Sequence, residues 1–138
     1  MARERLAQAE ALIYHREYED AALVAYEAAA AAARVPLYQR LVDPFTADEA
    51  LWEFENLLVL SGETGGLWEG VSSLFEDLIN GVRQALVDRD TTETDRREQR
   101  KTNGQRTPDD AARDLLDEAR RFVSYCALPL SQEVGVTA

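Results

Sequence analysis

Tyr18-Glu19-Asp20-Ala21-Ala22-Leu23-Val24-Ala25-Tyr26-Glu27, followed by the unbroken alanines Ala28 to Ala33 and then Arg34, is the stretch that decides the fold. Alanine has the highest helix propensity of any residue. Glu19 and Asp20 sit where carboxylates meet the positive end of a helix dipole, and Arg34 suits the opposite end. The segment from about Tyr18 to Arg34 is therefore a helix, and its small side chains let a neighbouring helix approach closely. Upstream, Leu6, Ala9, Leu12 and Ile13 recur at helical spacing, which predicts a first helix ending near Arg16. The two form an antiparallel hairpin turning at His15-Arg16-Glu17. One long helix is the alternative, since neither Gly nor Pro interrupts the run.

Downstream, Pro36 is expected to end the alanine-rich helix and Pro44 to break the connector after it. Thr46-Ala47-Asp48-Glu49 reads as a capping box, with the Thr46 hydroxyl and the Glu49 carboxylate serving each other's free amides. The helix it opens places Leu51, Phe54, Leu57 and Leu58 on one face, and Gly62 stands at its C-terminal cap. A fourth helix shows the clearest amphipathic pattern: Leu67, Val71, Leu74, Phe75, Leu78, Ile79, Val82 and Leu86. On this reading Gly70 lies inside that helix.

The 20 residues of 88–107 contain no hydrophobic side chain, so nothing offsets a backbone ordering cost of roughly 1–2 kcal/mol per residue. They are expected to form a mobile loop. Thr107 as N-cap and Pro108 at the first helical position open a last helix, which buries Ala111, Leu115, Leu116, Ala119, Phe122 and Val123. Pro129 is expected to stop it. The fold class predicted is all-α: an antiparallel bundle of about five helices, one domain over 1–129 with a flexible tail at 130–138.

Composition narrows function mainly by exclusion. The net charge of −11 repels phosphate backbones and disfavours nucleic acid as a general partner. A lone cysteine, Cys126, forms no internal disulfide and no zinc or iron–sulfur site, and it points to a reducing, cytoplasmic setting. No run of 18 apolar residues supports a membrane span. No phosphate-binding loop or nucleophile-elbow motif is present, so no catalytic residue, metal or cofactor is expected.

The individual candidates weigh the same way. His15 has Glu19 four residues on and Glu10 five before, yet no second ligand or nucleophile beside it, which favours a structural or exposed residue. Cys126 ends an apolar helical face and reads as a buried, inert thiol; pairing with His15 is the reactive alternative. Glu49, Glu53, Glu55, Glu76 and Asp77 read as a solvated acidic face, because a di-metal bundle site would also want a Glu-x-x-His on two helices. Arg96, Arg97, Arg100 and Lys101 are the candidate contacts to a polyanion, although no aromatic residue is interleaved for base stacking. Trp52 and Trp68 lie off the main apolar stripes and are interface candidates, together with Tyr26.

Leu6-Ala7-Gln8-Ala9-Glu10-Ala11-Leu12 and then Tyr18 to Ala28 resemble the first helical hairpin of HEPN-type domains: a short helix, a tyrosine before the second helix, then alanine-rich turns around a central tyrosine. The pattern also resembles one helix pair of a tetratricopeptide repeat, but no second copy follows. The ribonuclease motif of many HEPN-type proteins is an arginine, four to six residues and a histidine. Before His15 those positions hold Gln8, Ala9 and Glu10, so the resemblance does not carry cleavage of RNA to this chain. It implies instead the non-nuclease type found as an accessory domain at the C-terminus of ferredoxin-dependent sulfite and nitrite reductases. The expected role is thus a non-catalytic helical-bundle accessory with a protein partner or as a homodimer. A degenerate ribonuclease or RNA- or nucleotide-binding protein, and a tetratricopeptide-like adaptor, are the alternatives.

Overall fold

The computed structural model describes residues 2–89 and 107–137, which form five α-helices and no strand. They are α1 (Ala2–Tyr14), α2 (Tyr18–Gln39), α3 (Ala47–Phe54), α4 (Val71–Arg89) and α5 (Pro108–Thr137). The chain is a packed helical bundle in which α2 touches each of the other four. Ala21, Ala22, Ala25, Ala28, Ala29, Ala30, Ala32 and Ala33 are all buried along it. With only a methyl group at these positions, α1 and α5 can pack closely on the α2 backbone. Leu6, Ala9 and Ile13 bury the facing stripe of α1. Larger side chains fill the other half of the core. The Phe122 ring on α5 meets Phe54 and Trp68 edge-on at 4.9 Å each, and Phe75 at 5.8 Å.

The turn at His15 to Glu17 is real, and its chemistry explains why no glycine marks it. Glu17 N–H donates to Leu12 O at 2.8 Å and Arg16 N–H to Ile13 O at 2.9 Å, while Arg16 takes φ +64°. This is a Schellman stop with arginine in the left-handed position that glycine usually holds. The end of α2 repeats it: Val42 N–H donates to Leu37 O and Leu41 N–H to Tyr38 O, with Leu41 at φ +62°.

α2 therefore stops at Gln39, not at Pro36, and Arg34 lies short of its last turn. Pro36 forfeits one backbone hydrogen bond. In compensation, the extra turn sinks Leu37 to full burial. Pro129 likewise does not stop α5, whose backbone stays helical to Thr137, through most of the stretch expected as a tail.

α3 carries on as a π-helical turn, Glu55–Val59. The extra residue in that turn rotates the buried face, so Val59 joins Leu58 inside while Leu57, expected in the core, is 37% exposed. α4 begins at Val71, because Trp68 and Gly70 take positive φ and cannot continue a helix; Leu67 is accordingly outside it and exposed. α4 also extends through Asp88 and Arg89, the first residues of the expected loop. The remainder of that stretch, 90–106, lies outside the described residues.

Both side-chain caps read from the sequence form. Glu49 N–H donates to Thr46 Oγ1 and Asp110 N–H to Thr107 Oγ1, each at 3.1 Å. The Glu49 carboxylate, however, accepts from Phe45 N–H at 3.0 Å and not from Thr46. Glu55 serves α4 in the same way, accepting from Ser72 N–H at 3.0 Å. Two stability outcomes follow. Phe122→Ala empties the aromatic knot and should lower unfolding free energy by about 3–5 kcal/mol in denaturant titration. Leu41→Gly should raise it by about 1 kcal/mol, since Leu41 is 95% exposed and loses only its left-handed strain.

Candidate functional site

A groove of about 650 Å³ runs between α2, α3 and α4. Tyr26 and Trp52, two of the three interface candidates, line it together. The alanines on either side of Tyr26 keep the backbone of α2 deep in the bundle, and the longer tyrosine reaches from there to the groove wall. Its ring lies 6.5 Å from that of Phe75, and its hydroxyl donates to Asp48 Oδ1 at the start of α3. Burial first, then the hydrogen bond and charge of Asp48 and the charge of Glu76, hold the phenol well above its ordinary titration range. The hydroxyl is a fixed donor, and it clamps α3 to α2.

Trp52 stands one helical turn beyond Asp48 and is 56% exposed. Leu23 and Ile79 supply apolar wall from α2 and α4, and Asn80 and Arg83 line the α4 side. Around them four carboxylates, Glu27, Asp48, Glu49 and Glu76, face one guanidinium, Arg83. Two of the five residues expected to form an acidic face, Glu49 and Glu76, are thus groove residues. Glu53 and Asp77 do not line it, and Glu55 caps α4. Among the described residues no three of the His, Cys, Asp and Glu side chains converge as metal ligands.

The third candidate, Trp68, is placed elsewhere. Its ring packs against Phe122 at 4.9 Å and Tyr125 at 6.1 Å, so most of it belongs to the core. The off-stripe position that marked it as an interface residue arises because it precedes α4 and does not follow that helix's periodicity. Arg96, Arg97, Arg100 and Lys101 lie outside the described residues. His15 is exposed, with its ring edge-on to Tyr14 at 5.6 Å. Cys126 is buried, and desolvation pushes its thiol up to about 12, leaving little thiolate at neutral pH. The groove partners that sequence reading missed, Leu23, Ser72, Asn80 and Arg83, carry no local signal. Only the tertiary fold makes them neighbours. Among the described residues no helix is long and apolar enough to cross a membrane.

Tyr26→Phe should cost about 1 kcal/mol at neutral pH, the worth of one hydrogen bond whose acceptor returns to water. The unfolded phenol loses its proton near the ordinary value of 10.0 and the folded one only at higher pH, so the unfolded state binds fewer protons in that range. Stability must then fall as pH rises above about 10, and Tyr26→Phe should flatten part of that fall in chemical denaturation series. No protein-family model matches the chain, and neither does a curated protein or a solved structure.

Proposed function

We propose that this chain is a non-catalytic, HEPN-like helical-bundle module that recognises another protein through the groove between α2, α3 and α4. The observation that supports this reading is Trp52. A tryptophan more than half exposed beside a concave surface leaves apolar area in water that a partner would cover. Tryptophan is also the residue most enriched among those that carry the energy of protein interfaces. The polar lining around Trp52, four carboxylates, a phenol held protonated and a guanidinium, has the make-up of a charged rim beside an apolar anchor.

The resemblance of the Leu6 to Ala28 hairpin supplies the wider setting. In that setting the chain is an accessory to a larger enzyme such as a sulfite or nitrite reductase, and siroheme or cluster chemistry belongs to the partner. Self-association is the other mode of the same reading.

Size-exclusion chromatography with light scattering, on the chain alone and mixed with a purified ferredoxin-dependent sulfite or nitrite reductase, tests the proposal. The expected result is a complex of fixed stoichiometry, or a dimer of the chain alone, that Trp52→Ala weakens by at least about tenfold. A monomer that never comigrates with the enzyme overturns it.

A further inference from the structure

We propose that the occupant of the α2–α3–α4 groove is a basic amphipathic helix of a partner protein, seated with its apolar face on Trp52 and its lysines or arginines toward Glu76, Asp48 and Glu27. This rests on the interaction-module reading and specifies its partner.

The sign of the partner follows from the groove and from the whole molecule. Four carboxylates against Arg83, and against Arg5 paired with Glu27, leave the groove a negative balance, and the chain as a whole carries −11. A second copy meeting groove to groove would bring carboxylates together and be repelled, as would a polyanion. A cationic partner gains from both fields, the more so where Trp52 and Leu23 help exclude water.

The helical form of the occupant follows from the walls. All three walls are helix, so their interior backbone N–H and C=O groups are already bonded along their own axes. They offer no row of backbone partners to an extended strand, whose own amides would go unsatisfied on burial. A helix brings its backbone already satisfied and presents only side chains, the helix-in-groove mode of recognition. Three of the four carboxylates are also fixed before binding: the Tyr26 hydroxyl holds Asp48, the Phe45 amide holds Glu49 and the Arg5 guanidinium holds Glu27 at 2.7 Å. Each retains further acceptor sites for an incoming cation.

The test uses a labelled peptide of about 18 residues, five helical turns, built from leucine and lysine at amphipathic spacing. A counterpart with glutamate in place of lysine is the control. The protein carries Trp68→Phe, so that Trp52 alone reports by emission. The expected result is saturable binding of the lysine peptide with a blue shift of Trp52 emission, and none of the glutamate peptide. Glu76→Lys should weaken binding by at least about tenfold, whereas Asp117→Lys on α5, outside the groove, should change it less than about twofold. Circular dichroism confirms that both variants keep their helix content.

Equal weakening by the two reversals would show bulk attraction only and overturn the proposal, as would equal binding of both peptides or binding without a Trp52 response. Absence of lysine-peptide binding, alongside Trp52-dependent comigration with the reductase, would remove the basic helix and leave the interaction module standing. Loss of both would remove both.

Discussion

The close approach that the alanine face of α2 allows is the constraint on which the rest of the bundle depends. Eight buried alanines along one helix put its backbone in contact range of α1 and α5. Alanine also loses no rotamer entropy on burial, so the seam orders cheaply. It buries little apolar area per residue, however, and cannot stabilise the bundle alone. The large side chains are accordingly concentrated across the core, where Phe54, Trp68 and Phe75 surround Phe122. One half of the core thus sets the spacing and the other supplies most of the burial.

The groove is a consequence of the same division. Tyr26 is the one large side chain within the buried alanine run, and its hydroxyl reaches Asp48 in the first turn of α3. That bond ties the first turn of α3 to α2, on a helix that buries Leu51 and Phe54 and leaves Trp52 outside the core. The exposed tryptophan of the groove thus stands on a helix tied by a hydrogen bond to the alanine-rich one. An exposed tryptophan on such a support is pre-organised for contact, which lowers the cost of ordering it on binding.

Much of this fold was legible in the sequence, and the places where it was not share a cause. Alanine content, the Thr46 and Thr107 caps and the stripes of α4 and α5 gave each helix its place. The misplaced boundaries arose where the backbone broke a local rule. Arg16 and Leu41 take the left-handed position without being glycine, so one helix stop was ambiguous and the other was assigned to Pro36. The π-turn after Phe54 shifts the phase of a pattern read at 3.6 residues per turn, which exchanged Leu57 for Val59. Trp68 follows no helical stripe because α4 starts three residues later. The groove was half legible: its aromatic members stood out, whereas the pairing of Tyr26 with Asp48 joins residues 22 apart on different helices.

The acidic balance of the chain also needs dividing before it is read as a sign of function. Several carboxylates serve the fold directly. Glu49 and Glu55 close the amide-rich starts of α3 and α4. Glu10 pairs with Arg120 at 2.7 Å to join α1 to α5, and Asp109 pairs with Arg113 at 2.8 Å within α5. These charges would be retained whatever the protein recognised, because they answer to helix dipoles and to neighbouring guanidinium groups. Glu76 answers to neither: it stands on the exposed side of α4 in the groove wall, near enough to Tyr26 to act on its phenol. A carboxylate there adds nothing to a helix end and discourages ionisation of its neighbour. It shares the groove wall with Arg83 and is the one carboxylate of the four there that no hydrogen bond or ion pair among the described residues already employs.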